Sequence, residues 1–375
     1  MASGDGPRLE SGQTSRTGIL PPRRGTSDQG AALGSQYRRR NTTMPVNPPT
    51  MRAIIQDGYG VPRQVLRLGE IEAPSIGPDG VLVHVRATSV NTPDWSTVAG
   101  VPYVLRLGSG LRRPKRQVRG SDVAGVVAAV GQRVTDLAPG DDVLGSTRAK
   151  AGTFAEYAVV PAAQLVPKPP GLSFTDAAAT VMTGLAALVA LRDTGKVGAG
   201  TRVLINGASG GVGTMAVQIA RALGAEVTGV CGTGNVELVR SLGADHVIDY
   251  TAADFTRGQQ RYDVILDNVL NHPPAATARV LAAKGVLIPN SIGSTGGLLA
   301  GLPRIARAVL LGIGSTTVKL VTPAINRENL GALVRLLESG QVRVVIDRTY
   351  PLDQAASAVT HMLEHHASGK IAITV

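Results

Sequence analysis

The chain has 375 residues, enough for about two domains of ordinary size, and its apolar share of 43% is typical of a folded globular protein. A single cysteine, Cys231, excludes intramolecular disulfides and multi-cysteine zinc lobes, and it suits a reducing compartment, so we expect a cytoplasmic protein. The formal charge of +11 could indicate a nucleic-acid partner, but the first fifty residues supply +4 of it and the remaining +7 is modest for the rest of the chain, so we do not expect one.

Residues 1–50 differ in composition from the rest of the chain. They are rich in Gly, Ser, Pro and Arg and have no periodic apolar face, so they cannot bury enough surface to offset the entropy of ordering them. We predict a disordered N-terminal extension over residues 1–50. No apolar stretch comes after its arginine clusters, which argues against a secretory signal, while an organellar transit peptide remains an alternative.

Short apolar stretches separated by Gly, Pro and Asp begin at Met51. This pattern predicts a compact, partly open β-barrel, to which two stretches at the C-terminus are expected to return. The predicted strands are residues 53–56, 65–68, 81–87, 123–130, 142–144 and 155–160, and at the C-terminus 342–350 and 369–375.

The longest strongly apolar stretch without a charge is residues 177–191. A helix needs about 20 such residues to span a bilayer, so we predict a buried helix and no membrane partner.

Residues 202–223 combine a short apolar run, a glycine-rich turn and apolar residues at helical spacing, which predicts a strand, a tight turn and a helix. Ala208, Gly210 and Gly213 occupy the three small positions of a dinucleotide fingerprint, with alanine where a glycine is more common. Such a turn lets backbone amides approach a pyrophosphate at the helix N-terminus. The predicted cofactor-binding residues of the turn are Ala208, Ser209, Gly210, Gly211, Val212 and Gly213.

Further strand-like segments recur after this unit, at residues 226–231, 247–250, 264–267 and 286–289. Intervening stretches of helical length separate them, so the alternation predicts an α/β fold with a doubly wound parallel sheet.

Several motifs in this order resemble the medium-chain dehydrogenase/reductase superfamily, and within it the zinc-independent quinone oxidoreductase branch. The resemblance covers nearly everything from residue 51 to 375. It implies a GroES-like β-barrel catalytic domain over residues 51–175, completed by 322–375, a Rossmann domain over residues 176–321, and an active site in the cleft between them. The motifs are VRATSVNTPDW, GSDVAGVVAAVG, PGDDVLG, GTFAEYAVVP, INGASGGVGTMAVQIA and SLGADHVIDY.

The zinc-dependent members of this superfamily bind the metal with a cysteine, a histidine next to a glutamate, and a further cysteine or aspartate. The resemblance places Asn91 at the first cysteine and Ser121-Asp122 at the histidine-glutamate pair. Because neither Asn nor Ser is a competent zinc ligand, we expect no metal. Of the histidines, only His361 and His365 have ligand spacing, and they fall outside the motifs of the cleft.

The loop after the second strand of the nucleotide domain bears on the choice of cofactor. An acidic residue at this point favours NADH, because it accepts hydrogen bonds from the ribose and repels a 2′-phosphate. The loop here has no carboxylate, and Thr233, Asn235 and Tyr250 could donate hydrogen bonds to the phosphate. We therefore expect NADPH rather than NADH.

Without a metal, the chemistry that the resemblance implies is hydride transfer to a quinone or an α,β-unsaturated carbonyl, with negative charge developing on a distant oxygen. A hydrogen-bond donor near that oxygen would stabilise the transition state. Asn91 and Tyr103 are the candidate catalytic residues. The basic run at residues 112–116 is either a solvated loop or a surface that steers anionic ligands.

Two alternatives stay open. One is a zinc-type alcohol dehydrogenase, which Asn91 and Ser121 disfavour. The other is an NADPH-binding regulatory or RNA-binding protein, which the resemblance allows although the sequence lacks recognisable nucleic-acid motifs. Whatever its activity, the protein could form a homodimer.

Overall fold

The computed structural model describes residues 49–147, 152–291, 302–312, 317–364 and 367–375, all of which belong to one unit, Pro45–Val375. The extension predicted for residues 1–50 lies outside the described residues except for its last two, and Thr50 already belongs to the first strand.

The described residues contain fifteen strands and ten α-helices. The strands are β1 (Thr50–Gln56), β2 (Leu66–Glu72), β3 (Gly80–Ser89), β4 (Asp122–Val130), β5 (Asp142–Ser146), β6 (Tyr157–Pro161), β7 (Leu165–Pro167), β8 (Arg202–Asn206), β9 (Glu226–Cys231), β10 (His246–Asp249), β11 (Tyr262–Asp267), β12 (Leu281–Pro289), β13 (Thr317–Val318), β14 (Ile346–Pro351) and β15 (Lys370–Thr374). The helices are α1 (Pro62–Val65), α2 (Thr92–Ala99), α3 (Arg106–Ser109), α4 (Phe174–Leu188), α5 (Gly211–Ala222), α6 (Val236–Ser241), α7 (Pro274–Ala278), α8 (Leu302–Leu311), α9 (Arg327–Glu338) and α10 (Ala355–Glu364).

The barrel part is built on a mostly antiparallel sheet with the order β14-β15-β3-β4-β5-β7, in which β6 also pairs with β3, while β1 and β2 form a separate antiparallel pair. Successive side chains of β3 point to opposite faces, so Val81, Val83 and Val85 lie in one apolar core and Leu82 lies in another. The C-terminal strands β14 and β15 return to this sheet.

Two predicted strands have different bounds in the structure. The strand expected at residues 65–68 begins only at Leu66, because Pro62 starts a helical turn that lasts to Val65. The strand expected from Val342 begins at Ile346, because the amide of Val342 donates to Leu336 O and still closes the end of α9.

The nucleotide part is a parallel sheet with the order β10-β9-β8-β11-β12-β13, which is the doubly wound Rossmann order. The α/β fold class predicted from the sequence is therefore confirmed. The bounds predicted for the two domains stay predictions. Strand order reverses between β8 and β11, and ligands of such sheets bind at the carboxyl ends of the strands at that point.

Helix α4 lies between the two parts and packs on β3, β4 and β5 on one side and on α5 on the other. It is longer than the sequence predicted, because a π-helical segment, Val189–Thr194, continues it past Arg192. By length and composition the stretch Phe174–Thr194 could cross a membrane, but 78% of its most apolar window is buried inside the protein. That burial is typical of a core helix.

Candidate active site and cofactor cradle

The turn after β8 is built around Gly207, which has a positive φ of 77°. This residue, rather than Ala208, meets the conformational demand of the tight turn. Ala208 is buried, and the amides of both residues donate to Val230 O on the neighbouring strand β9. An alanine at the first fingerprint position is therefore accommodated, because the glycine one residue earlier makes the turn.

Gly210 and Gly213 serve different purposes. A Cβ added at Gly210 would meet only Gly207 O, at an ordinary 3.6 Å, so its small size is not required by packing within the described chain. A Cβ at Gly213 would lie 2.0 Å from Gly207 O, so this glycine lets α5 pack on the turn. Gly210 precedes the N-terminus of α5 and has nothing but Gly207 O within 4 Å of an added Cβ, so the backbone there is accessible to a pyrophosphate and the turn could hold a dinucleotide.

The C-terminal chain docks on this turn at residues that the sequence analysis did not select. The amide of Gly369 donates to Ser209 O at 2.8 Å, and Gly369 forms a parallel bridge with Gly210. A Cβ added at Gly211 would lie 2.9 Å from Lys370 Cδ, so the lysine stem lies directly against the start of α5. Strand β15 thus joins the barrel sheet to the cofactor turn.

The loop after β9 brings together the three residues expected to bind a 2′-phosphate at the adenosine end of the cofactor, Thr233, Asn235 and Tyr250. Asn235 Oδ1 accepts a hydrogen bond from Ser368 Oγ at 2.7 Å. The exposed side chain of Tyr250 lies beside Gly232, since a Cβ there would be 3.0 Å from the tyrosine hydroxyl. Thr233 Oγ1 lies 2.9 Å from Thr251 Oγ1.

The loop after β9 has no carboxylate, but the neighbouring strand β10 places one beside it. Asp249 ends β10 directly beside Cys231, and its Oδ1 accepts from the amide and the hydroxyl of Thr251 at 2.9 and 2.8 Å. A hydrogen bond from Thr233, together with those from Thr251, lowers the pKa of Asp249. An ionised carboxylate therefore lies in contact with Thr233, one of the predicted phosphate-binding residues.

The carboxyl ends of β8 and β11 carry a network of amides that the sequence analysis also missed. Asn206 Nδ2 donates to Asp267 Oδ1 at 2.8 Å, Asn268 Nδ2 to Asn206 O at 3.2 Å, and Asn290 Nδ2 to Asn268 Oδ1 at 2.8 Å. These residues lie where the strand order reverses, which is the crevice expected for the reactive half of a dinucleotide. Their positions at the ends of predicted strands were the signal that could have indicated them.

On the barrel side, Asn91 precedes α2 and lies at the centre of a buried polar cluster. Lys370 Nζ donates to Asn91 Oδ1 at 2.7 Å and to Val90 O at 2.8 Å, while Asn91 Nδ2 donates to Asp122 Oδ2 at 2.8 Å. Ser89 Oγ also donates to Asp122 Oδ2, at 2.6 Å. The amide of Asn91 therefore links an ammonium group to a carboxylate.

Burial perturbs every ionisable group of this cluster. It raises the pKa of Asp94, which accepts a hydrogen bond of 2.8 Å from the backbone N–H of Asn91, to about 7. It also raises the pKa of Asp122 and lowers that of Lys370, while attraction between these two groups opposes both shifts. Buried ionisable groups with perturbed pKa values occur at functional sites and also in structural ion-pair networks.

Tyr103 has a different environment. It is half exposed, and its ring packs against the guanidinium of Arg106, which lies 4.4 Å from the ring centroid. The contacts of the described residues do not connect it to the Asn91 cluster, and its catalytic role stays a prediction.

The residues at the metal positions of the superfamily lack the donor set of a zinc site, since Asn91 and Ser121 replace a cysteine and a histidine. Among the described residues no three His, Cys, Asp or Glu side chains are grouped to hold a metal ion. The ammonium of Lys370 bonds directly to Asn91, the residue at the first ligand position, where it would repel a cation. His361 instead bonds to Asp347 and Tyr350, and His365 lies outside the described residues.

The parallel sheet and the fingerprint turn together are typical of a dinucleotide-binding protein. A family model described as an alcohol dehydrogenase GroES-like domain matches residues 77–170, and one described as a zinc-binding dehydrogenase matches residues 242–373. The chain belongs to the medium-chain dehydrogenase/reductase superfamily, in its quinone oxidoreductase-like branch, and acts on a small-molecule substrate.

Known proteins agree with this assignment. The chain is 33% identical to the chloroplastic quinone-oxidoreductase QR1 of Triphysaria versicolor over 339 residues, covering 86% of this chain and 98% of the relative. It is 33% identical to the trans-enoyl reductase pgmF of Aspergillus terreus over 323 residues, covering 81% and 88%. The solved structure of a quinone oxidoreductase from Coxiella burnetii superposes with a TM-score of 0.76 at 27% identity, covering 87% of this chain and 99% of that one.

Proposed function

We propose that this protein is an NADPH-dependent oxidoreductase that transfers hydride to quinones or α,β-unsaturated carbonyls without a metal. The observation that carries the proposal is the bond of 2.7 Å between Lys370 Nζ and Asn91 Oδ1. It puts a buried amino group, whose pKa burial lowers and whose charged form Asp122 and Asp94 favour, beside the residue that stands at the first metal-ligand position. An ammonium there can stabilise negative charge in the cleft without a metal ion.

The turn at residues 207–213 binds the cofactor. Its backbone amides and the N-terminus of α5 bind the pyrophosphate, and Gly210 leaves the space for it. When bound, the nicotinamide supplies the hydride. Gly369 and Lys370, docked on the same turn, fix the distance between the cofactor and the barrel wall.

Asn91 is the residue that we assign to the substrate. One N–H of its amide is used by Asp122, which leaves the second for an oxygen of the substrate. Lys370, bonded to the amide oxygen, holds the amide in this orientation and polarises it. Both substrate classes accept hydride at one position of a conjugated system while negative charge builds on a distant oxygen. One hydrogen-bond donor near that oxygen therefore serves both classes. Tyr103 stays a prediction for a second donor.

The preference for NADPH rests on the loop after β9, which has no carboxylate of its own. The exposed Tyr250 is the donor that we assign to a 2′-phosphate. Asp249 opposes this preference, but its charge is partly compensated by the donors of Thr233 and Thr251. The net preference is therefore expected to be moderate.

The relatives support both proposed substrates. One is named a quinone oxidoreductase and another a trans-enoyl reductase, and this chain is equally similar to both. The name of the matching family model, zinc-binding dehydrogenase, is the argument for alcohol oxidation with zinc, and the residues at the metal positions argue against it. The homodimer and the cytoplasmic location stay predictions.

The test is a panel of simple quinones and enones, assayed for oxidation of NADPH and NADH by purified protein whose metal content is measured. We expect turnover of at least one class, faster with NADPH, and unchanged after treatment with a chelator. Loss of activity on chelation with recovery on adding zinc would overturn the metal-free mechanism. Tight NADPH binding without any turnover would favour the regulatory alternative.

A further inference from the structure

Exposed apolar side chains cluster in a short segment after α2. Leu107 and Leu111 are 71% and 70% exposed, and Tyr103 and Val104 are also exposed. An isolated exposed leucine is common on protein surfaces, but several within nine residues form a patch that calls for an explanation. We refer to residues 103–116 as the 103–116 segment.

Contacts with the body of the protein fix the backbone of this segment. Tyr59 Oη donates to Gly110 O at 2.7 Å, and Arg106 Nε donates to Gly100 O at 2.8 Å. The guanidinium of Arg106 lies 4.4 Å from the ring centroids of both Tyr59 and Tyr103. The anchoring contacts are polar and aromatic, and they leave the leucines outside. The exposure of Leu107 and Leu111 is therefore a property of the folded segment.

A strong positive charge accompanies the leucines. Arg112, Arg113, Lys115 and Arg116 are all exposed, and no Asp or Glu occurs between Asp94 and Asp122. None of the ion pairs in the described part of the chain involves Arg112, Arg113 or Lys115. Neither a solvated loop nor a surface that steers anions accounts for the leucines adjacent to the basic run.

We propose that the 103–116 segment docks the protein on an anionic lipid bilayer. Protruding apolar side chains insert at the boundary between headgroups and acyl chains, while lysine and arginine are attracted to anionic headgroups. Leu107 and Leu111 are each about 70% exposed, so both side chains are free to insert into a bilayer. A nucleic acid would use the arginines but not the leucines. This proposal reverses the expectation of no membrane partner, which considered only a spanning helix.

The test is co-sedimentation of the full chain with phosphatidylcholine vesicles that contain or lack phosphatidylserine. We expect binding to the anionic vesicles, weakened by added salt because exposed charges are screened. The double variant Leu107→Ser/Leu111→Ser keeps every charge, including the arginines of residues 1–50, and should lower the bound fraction about tenfold. The matched control, Leu310→Ser/Leu320→Ser, changes two leucines that are 63% and 54% exposed elsewhere and should bind like the wild type.

A second readout identifies the partner. Tryptophan placed by Leu111→Trp should be quenched by brominated lipids, whereas tryptophan placed by Leu320→Trp should not. Equal binding by the two double-serine variants, or no quenching at Leu111→Trp, would show that charge alone holds the protein and would overturn the proposal. So would an absence of binding to anionic vesicles. Equal melting temperatures of both double-serine variants confirm that each is folded.

Discussion

The ammonium of Lys370 lies 2.7 Å from the amide oxygen of Asn91, although 279 residues separate them in the sequence. The same lysine rests its stem against Gly211 at the start of α5, so one side chain touches both the cofactor turn and the centre of the buried polar cluster. The proposed active site depends on this contact.

Removing both charges of this cluster should cost less stability than the two single removals added together. Lys370→Met keeps the packing on Gly211 but leaves Asp122 buried without its cation, so we expect the free energy of unfolding to fall by about 3 kcal/mol. Asp122→Asn should also be destabilising, because it leaves Lys370 buried without its carboxylate. In Lys370→Met/Asp122→Asn both charges are gone, so the loss should be smaller than the sum of the single losses by about 1 kcal/mol or more. Urea unfolding of the four proteins measures this cycle, and simple additivity would show that the two charges do not interact.

Gly210 and Gly213 should respond differently to alanine. Gly210→Ala meets nothing closer than 3.6 Å, so the melting temperature should stay near that of the wild type while NADPH affinity falls about tenfold or more, because the methyl group occupies the space for the pyrophosphate. Gly213→Ala forces a Cβ against Gly207 O and should lower the free energy of unfolding by about 2 kcal/mol. Thermal unfolding and fluorescence titration separate the two effects. Unchanged NADPH affinity in Gly210→Ala would contradict the assigned pyrophosphate site.

The charge beside the adenosine loop should set the choice between NADPH and NADH. Asp249→Asn removes a carboxylate next to Thr233, so the ratio of kcat/KM for NADPH to that for NADH should rise about two- to fivefold at low ionic strength. Gly232→Asp adds a carboxylate and should lower the ratio. Asp254 accepts from Thr256 in the same way that Asp249 accepts from Thr251, so Asp254→Asn is a matched control that should leave the ratio unchanged. A ratio that does not respond to Asp249→Asn would place the 2′-phosphate elsewhere.

Asp94 should make stability depend on pH. Burial raises its pKa to about 7, whereas an unfolded aspartate ionises near about pH 4, so the native state keeps a proton that the unfolded state has lost. The stabilisation is therefore fully present below about pH 4 and is lost as pH rises through about 7. Asp94→Asn cannot ionise, so relative to the wild type it should gain about 2 kcal/mol between about pH 5 and about pH 8. Urea unfolding at both pH values tests this, and a constant difference between the two proteins would refute it.

The sequence predicted the parts of the site that lie close together along the chain. The fingerprint at residues 208–213 has a local spacing that indicates its structure, and Asn91 was identified by its place in a motif. The fingerprint assigned from the sequence began one residue too late, because the residue with the positive φ that makes the tight turn is Gly207.

Contacts between distant segments could not be predicted in this way. Lys370 reaches Asn91 only because β15 returns to the barrel and pairs with β3. Asp249 reaches the adenosine loop only because β10 lies beside β9. The absence of a carboxylate from residues 232–235 is correct as a statement about the sequence, but the next strand supplies the charge in space. The leucines of the 103–116 segment were not selected because exposure depends on packing that no local pattern specifies.

Direct hydride transfer without a metal is the central claim, and one measurement tests it. Purified protein with a measured metal content, treated with a chelator, is given an α,β-unsaturated carbonyl and NADPH deuterated at the transferring position of C4. We predict a reduced product that carries one deuterium on carbon, formed at the same rate as without the chelator. A product without deuterium, or turnover that stops on chelation and returns with zinc, would contradict the claim.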